Sequence, residues 1–203
     1  MSDYIIGVTG GVASGKSAVT QRFEALGIVV ADADVAARAA VAPGSDGLAA
    51  VVEAFGAPVL AADGSLDRAA MRQRVFGDEA ARRRLESIVH PLVRARLRQE
   101  CEAAPGPYAI AAIPLLAEGG GRSAYPWLQR ILVVDVPVEV QRSRLMQRDG
   151  IDATLADRMI ASQASRPERL AIADDVIVND AGLDALDGLV AALDRRYRAH
   201  GSR

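Results

Sequence analysis

Several residue types are scarce in this chain of 203 residues, and each scarcity narrows what the chain can be. A single cysteine, Cys101, allows no internal disulfide, so nothing indicates an oxidising compartment. No stretch approaches the roughly 18 apolar residues of a membrane-spanning helix, and the sequence does not open on a basic segment followed by an apolar run. We therefore expect a cytoplasmic protein with no membrane partner.

An excess of positive charge is also missing. The 24 basic and 26 acidic residues leave a formal net charge of −2, which argues against a nonspecific nucleic-acid binder, because that function needs a broad basic face. We expect no nucleic-acid partner, and of the possible oligomeric states a monomer is favoured. An apolar content of 50% is enough for one α/β domain with insertions or for two small domains.

Lysine is the scarcest charged residue, since Lys16 is the only lysine in the chain. It stands in Gly10-Gly11-Val12-Ala13-Ser14-Gly15-Lys16-Ser17, which matches the phosphate-loop pattern and follows an apolar run. An ammonium is a compact charge that fits between two phosphates, whereas a guanidinium is a wider fork. The backbone of residues 11–17 is predicted to cradle the phosphates of a nucleotide, with Lys16 reaching the β- and γ-phosphates and the Ser17 hydroxyl binding Mg²⁺.

The apolar runs predict five buried strands, which alternate with helices. They cover residues 4–9, 28–31, 108–113, 130–136 and 175–178. The fold class is therefore α/β, a doubly wound five-stranded parallel sheet whose ligands bind beyond the carboxyl ends of the strands. We expect a nucleotide-binding core of residues 1–34, 105–139 and 167–203, an inserted helical region of residues 35–104, and a helical lid of residues 140–166.

Two carboxylates follow the second predicted strand. Asp32 and Asp34 are two residues apart, and an extended chain would send both side chains toward the same face. Asp34 is the candidate base that accepts the proton of an attacking hydroxyl, and Asp32 is the candidate that organises Mg²⁺ through water. The alternative is structural, with Asp34 as a helix cap and Asp32 as a turn residue.

The predicted lid is rich in arginine. Gln141, Arg144 and Arg148 share one face of the helix over residues 138–148, so Arg144 or Arg148 is predicted to close over the triphosphate. Gln163 and Arg166, placed on a second helix running to about residue 165, would add to the same wall. A solvated helix face is the alternative for all of these charges. His90, alone in the helical region, is read from the residues as a structural side chain.

Taken in order, these segments resemble the dephospho-coenzyme A kinase family. The motifs that carry the resemblance are the phosphate loop, Asp32-Ala33-Asp34, Asp63-Gly64-Ser65-Leu66-Asp67-Arg68, His90-Pro91-Leu92, Pro114-Leu115-Leu116-Ala117-Glu118, the glutamines and arginines of the lid, and Ala173-Asp174 to Asn179. Departures are small: Ala13 stands where the family usually has glycine, Ala18 where it has threonine, and Asn179-Asp180-Ala181-Gly182 spaces Asn from Gly unusually.

The resemblance implies a function and further site residues. The family phosphorylates the ribose 3′-hydroxyl of dephospho-CoA with ATP and Mg²⁺, the last step of coenzyme A biosynthesis. The resemblance also implies that the helical region of residues 35–104 binds the acceptor, with Asp34 facing its hydroxyl and with His90 and Leu116 in contact with dephospho-CoA. It places the adenine of ATP near Asn179.

Three other functions remain to be weighed. A nucleoside monophosphate kinase shares the loop and lid, but its acceptor is a phosphate, which needs cations more than a base. A GTP-dependent switch protein with an Asn-Lys-x-Asp element is excluded, because the chain has no second lysine. A phosphate-loop adaptor without catalysis would be distinguished by slow turnover with every acceptor.

Overall fold

The computed structural model describes residues 2–181 and 183–201. Gly182, which ends the motif that begins at Asn179, lies outside the described residues. The chain divides into two compact units. The core unit comprises Met1–Ala31 and Glu100–Arg203, and the helical unit comprises Asp32–Gln99.

The core unit is built on five parallel strands in the order β2-β3-β1-β4-β5. The strands are β1 Ile5–Gly10, β2 Val30–Asp32, β3 Ala109–Ala112, β4 Arg130–Asp135 and β5 Asp175–Val178. All residues of β1 and β3 are buried, as continuous apolar runs predict for a sheet covered on both faces. The predicted doubly wound parallel sheet is confirmed, with strand ends that move by at most two residues.

Helices make up most of the remaining chain. In chain order they are α1 Lys16–Ala25, α2 Ala33–Ala40, α3 Asp46–Phe55, α4 Arg68–Val75, α5 Glu79–Ala103, α6 Gly121–Ala124, α7 Val138–Asp149, α8 Ala153–Ala161, α9 Arg166–Ala171 and α10 Leu183–Gly201. Phe23 of α1 and Tyr197 of α10 are fully buried with Ile6 and Leu132 of the sheet. Across residues 2–181 and 183–201, no helix combines the length and the apolar content that crossing a membrane requires.

The segment after residue 150 differs from the prediction. Asp152 caps a helix as expected, by accepting a hydrogen bond from the Leu155 N–H, but that helix ends at Ala161 and a separate helix begins at Arg166. The second start has its own signal, because Ser165 and Glu168 form a reciprocal capping box and Pro167 lies in the first turn. Residues 162–165 therefore form a connection between α8 and α9, and Gln163 lies on neither helix.

A buried carboxylate ties α10 to the sheet. Asp175, at the start of β5, accepts hydrogen bonds from Arg130 Nε at 2.7 Å, Arg196 Nη1 at 2.7 Å and the Tyr197 hydroxyl at 2.9 Å. Burial alone would raise the pKa of Asp175, but the bonds from Arg130 and Tyr197 outweigh it and hold that pKa below its usual range. Tyr108, next to β3, adds a second tie, because its hydroxyl donates to Asp194 of α10 at 2.7 Å.

Cys101 lies in the last turns of α5, in the core unit. Its side chain is fully buried, and Sγ lies 3.6 Å from the carbonyl oxygen of Ile110. Burial, with the neighbouring Glu100 and Glu102, raises the pKa of the thiol to about 12. The thiol is therefore protonated at neutral pH.

The helical unit contains α2, α3 and α4, a 3₁₀ turn at Ala57–Val59, and most of α5. Each of its first three helices begins at a side-chain cap, supplied by Asp32, Ser45 and Asp67. A small core of its own holds the unit together, formed by Val41, Val51, Val59 and Met71. The expectation of a mostly helical region is confirmed.

Candidate active site

The glycine-rich segment leaves the end of β1 and turns directly into α1. Two of its residues have left-handed backbone conformations, Ala13 with φ 58° and Gly15 with φ 92°. A Cβ at Gly15 would also collide with Nδ2 of Asn179, so this position requires glycine. The chain thus makes the tight turn that brings backbone N–H groups to the amino end of a helix, where an anion is stabilised.

Lys16 and Ser17 are the first two residues of α1. Gly15, the N-cap, supplies no side-chain hydrogen bond to the first turn, so the helix end is not closed by its own cap. Lys16 is half-buried and Ser17 is exposed. Among the described residues of the core unit, Lys16 forms no ion pair with a carboxylate. The loop and its lysine therefore have the charge and the backbone geometry that bind phosphate groups.

Two glutamines hold the Val12 peptide from both sides. The Val12 N–H donates to Gln163 Oε1 at 2.7 Å, and the Val12 carbonyl accepts from Gln141 Nε2 at 2.8 Å. Gln141 is 1% exposed, so its contact is shielded from water. The predicted glutamines therefore lie at the phosphate loop itself, although Gln163 reaches it from the α8–α9 connection.

Arg144 and Asn179 bind the loop at its other end. Both donate to the Ser14 carbonyl, Asn179 from Nδ2 at 2.8 Å and Arg144 from Nη1 at 3.5 Å, and Arg144 Nη2 also donates to the Asn179 carbonyl at 2.8 Å. Asn179 is 5% exposed. The structure thus places both predicted residues against the loop, with the Asn179 amide used as a brace. Its predicted adenine contact stays a prediction.

Arg148 has a different partner. Its guanidinium binds the neighbouring Asp149 through Nε at 2.7 Å and Nη2 at 2.8 Å, and this pairing raises the pKa of Arg148. The pair is exposed, so it adds little to stability. Of the two lid arginines, the structure brings Arg144 to the phosphate loop and leaves Arg148 at the end of α7.

Arg166 is held by the end of β4. It binds Asp135 with Nε at 3.0 Å from both carboxylate oxygens and Nη2 at 2.7 Å from one of them. Asp135 is buried, and the planar guanidinium of Arg166 already neutralises the charge of its carboxylate. This pairing favours a structural role for Asp135.

Asp32 and Asp34 are placed by a helix start. Because α2 begins at Ala33, only Asp32 belongs to β2, and the argument that an extended chain aligns both side chains does not apply. Asp32 is the N-cap, and its Oδ1 accepts from the N–H groups of Asp34 at 2.7 Å and Val35 at 3.2 Å. Asp34 lies in the first turn, so the predicted assignment of cap and turn residue is reversed. Capping uses one oxygen of Asp32, and its metal role stays a prediction.

His90 lies on the exposed surface of α5, immediately before Pro91. With Arg68 and Arg72 it lines a cavity of about 390 Å³ in the helical unit, whose walls also include the apolar side chains of Met71 and Val89. His90 is thus a cavity-lining residue rather than a buried core residue. The cavity combines an apolar wall with three groups that can bind an anion.

Leu116 is placed differently from its expected role. Its side chain is fully buried in the core unit, and its carbonyl accepts from the Gly121 N–H at 2.8 Å. A fully buried side chain offers a ligand no surface, because its area is already taken by neighbours. We therefore assign Leu116 a packing role in place of the expected substrate contact.

Arg169 was missed by sequence reasoning. It lies in α9, is 4% exposed, and its guanidinium lies against Gly11 at the start of the phosphate loop. A signal existed in the sequence, because the capping box of α9 places Arg169 one turn after Arg166. Treating residues 152–165 as one continuous helix hid that second start.

Ala13 offers a test of loop strain. A left-handed conformation costs a residue with a Cβ about 1–2 kcal/mol, so Ala13→Gly should relieve strain, partly offset by the greater freedom of glycine in the unfolded chain. We expect the melting temperature to stay level or rise by up to about 4 °C. The matched control is Ala18→Gly, inside α1, which should lower it by a similar amount. Equal losses in both variants, measured by thermal unfolding, would show that Ala13 is unstrained.

Comparison with known proteins assigns the family. The model of a family described as dephospho-CoA kinase matches residues 4–185. The dephospho-CoA kinase of Xanthomonas oryzae pv. oryzae (strain MAFF 311018) is 60% identical over 203 residues and is covered, like this chain, over 100% of its length.

Solved structures agree with this fold. TT1252 from Thermus thermophilus superposes with a TM-score of 0.79 at 31% identity, over 96% of this chain and 98% of that one. The dephospho-CoA kinase from Campylobacter jejuni superposes with a TM-score of 0.70 over 98% and 99%, and at 24% identity it bears on the fold alone. With a family match over nearly the whole sequence and a full-length relative at 60% identity, the chain belongs to the dephospho-CoA kinase family.

Proposed function

We propose that this protein transfers the γ-phosphoryl group of ATP to the ribose 3′-hydroxyl of dephospho-CoA, giving CoA and ADP. The observation that carries the proposal is the phosphate loop, with Lys16 at the start of α1 and side chains bonded to the peptides of Val12 and Ser14. A loop held in this way is organised before the donor binds, so little reorganisation is needed during the reaction. Family membership supports the choice of acceptor.

The donor side is made by the core unit. The loop amides bind the phosphates, Lys16 neutralises charge on the β- and γ-phosphates, and Arg144 lies at the Ser14 end of the loop. Arg148 would join them only by exchanging Asp149 for phosphate. We include the segment 140–166 as a lid, because its residues Gln141, Arg144 and Gln163 bond directly to the loop and can respond to what binds there.

The acceptor side draws on the helical unit. Asp34 follows the carboxyl end of β2 by two residues, and ligands of such sheets bind beyond the carboxyl ends of the strands. We assign it the proton of the 3′-hydroxyl, which must leave as the new P–O bond forms. The cavity lined by His90, Arg68 and Arg72 offers an apolar wall and cationic groups, which suit the long pantetheine arm and the phosphates of dephospho-CoA.

Mg²⁺, a cytoplasmic location and a monomeric state complete the proposal. The described residues contain no group of three or more histidine, cysteine or acidic side chains that could hold a metal alone. Mg²⁺ takes one or two protein ligands and fills its shell with phosphate and water, and the Ser17 hydroxyl and the Asp32 carboxylate are oxygen donors of that kind. Ser17 would ligate it directly and Asp32 through water; when bound, it neutralises charge on the phosphates.

The acceptor is tested by ADP release. With ATP and Mg²⁺ supplied, we expect turnover with dephospho-CoA to exceed turnover with AMP, CMP, UMP or adenosine by at least about 10²-fold, because specific contacts discriminate by such factors. Dephospho-CoA lacking the ribose 3′-hydroxyl should give only background release. Faster turnover of any nucleoside monophosphate would instead support the runner-up function, a nucleoside monophosphate kinase.

A further inference from the structure

One buried cation of the core unit has no carboxylate partner. Arg169 is 4% exposed, and in the described residues its guanidinium has a single hydrogen bond, from Nη1 to the carbonyl of Ala164, with no ion pair. Burial lowers its pKa, because the loss of hydration outweighs the attraction of the nearby carboxylates Glu118 and Asp135. An unmatched buried charge is costly, so such a group is kept for a reason other than stability.

The acidic groups near Arg169 are already engaged. Glu118 and Asp135 both act on its charge, but Asp135 is bound by two nitrogens of Arg166. Glu118 accepts a hydrogen bond from the Ala164 N–H at 2.7 Å. The cationic Arg166 adds repulsion. Arg169 therefore retains capacity for an anion that the protein itself does not provide.

The guanidinium lies at one end of the phosphate loop. An added Cβ at Gly11 would stand 2.8 Å from Nη2 and 2.9 Å from Cζ of Arg169, so the absence of a side chain at Gly11 makes room for this cation. The opposite end of the loop, at Gly15, faces Asn179 and Arg144. Amides at the helix end take the inner phosphates. We assign the terminal phosphate to the Gly11 end, where the guanidinium of Arg169 lies.

The Ala164 peptide holds Arg169 in place. Its N–H donates to Glu118 and its carbonyl accepts from Arg169, so the peptide joins the loop after β3 to α9. The preceding residue, Gln163, accepts from the Val12 N–H. Residues 163 and 164 thus fix both the phosphate loop and the cation beside it. A side chain held by such bonds binds with little loss of conformational freedom.

We propose that Arg169 is a further phosphate-binding residue, which takes up the charge of the terminal phosphate of ATP at the Gly11 end of the loop. This inference rests on the proposed function, since it assumes that the loop binds ATP. Arg169, on α9, would then favour ATP over ADP, whereas Lys16, on α1, neutralises charge on the β- and γ-phosphates. Because ADP lacks the terminal phosphate, the two nucleotides separate this role from general support of the loop.

The test compares nucleotide binding in Arg169→Met, Arg169→Lys and the control Arg142→Met. Arg142 lies on α7 and pairs with the exposed Asp157. By calorimetry we expect Arg169→Met to weaken ATP binding roughly 10²-fold and ADP binding less than about 3-fold, with a fall of about 10²-fold in kcat. Arg169→Lys should recover part of the ATP affinity, because it keeps the charge but loses the fork. Arg142→Met should match the wild type.

Thermal unfolding without nucleotide supplies the second readout. Removing an unmatched buried charge should leave the melting temperature of Arg169→Met level or higher. A melting temperature lower by more than about 4 °C, or equal weakening of ATP and ADP, would overturn the inference and indicate a structural role. Neither the calorimetric measurement of nucleotide binding nor thermal unfolding needs an acceptor, so both can be interpreted independently of kcat. The proposed function is contradicted by a different result, namely that the wild-type protein does not phosphorylate dephospho-CoA.

Discussion

Lys16→Met should lower kcat by about 10³-fold. Methionine keeps the length of lysine but has no charge, so the change removes the contact to the β- and γ-phosphates without a change in bulk. Lys16 is half-buried and starts α1, where the helix end already favours an anion. ATP affinity should fall as well, and steady-state ADP release with calorimetry measures both.

Lys16→Arg is the informative companion. It supplies the cation that the chain uses at its 23 other basic positions, so a site that needs only charge should keep its turnover. We expect kcat to fall at least about 10²-fold, because the wider fork does not fit between two phosphates. Arg142→Met again serves as the unaffected control. Wild-type turnover in Lys16→Arg would contradict the geometric reason for the lone lysine.

The second large effect is expected from Asp34→Asn. Asparagine is nearly the same size but does not accept the proton of the 3′-hydroxyl, and loss of a general base costs roughly 10²–10⁴-fold in kcat. ATP binding should stay within about 2-fold of the wild type, since Asp34 is assigned to the acceptor. Because phosphoryl transfer is loose, a value near the lower end would mean that Asp34 mainly orients the hydroxyl.

Asp46→Asn is the matched control for this change. Asp46 is also an acid in the first turn of a helix in the helical unit, so both variants lose the same favourable interaction with a helix end. Only Asp34→Asn should lose turnover.

Asp32→Asn tests the metal role separately, since asparagine caps a helix as well as aspartate does and only the charge is lost. Asp32→Asn should therefore need a higher Mg²⁺ concentration for the same turnover. Unchanged turnover in Asp34→Asn would remove Asp34 from the mechanism.

The phosphate loop and the sheet were predictable because each has a local signal. The glycines, Lys16 and Ser17 form one contiguous motif, and the strands are continuous apolar runs. The placement of Arg144, Asn179 and Gln141 at the loop depends on contacts distant in sequence. In the sequence, only the shared helix face of Gln141 and Arg144, and the family motif that includes Asn179, indicated that these residues lie at the phosphate loop.

The missed features share one physical cause, the position of helix starts. Asp34 lies in a helix and not in an extended segment because α2 starts at Ala33, and Arg169 lies in α9, which begins after the helix predicted to end at about residue 165. In both cases a capping residue, Asp32 or Ser165, was present in the sequence. Leu116 shows the converse, since a family motif does not reveal which of its side chains is buried.

The burial of Cys101 matters for a protein that works on thiol compounds. Dephospho-CoA and CoA both end in a thiol, and their oxidised forms exchange with protein thiolates to give mixed disulfides. The single cysteine of this chain is fully buried, and its pKa is raised to about 12, so at neutral pH it presents almost no thiolate for that exchange. The enzyme is thereby protected from covalent capture by its own substrate and product under oxidative stress.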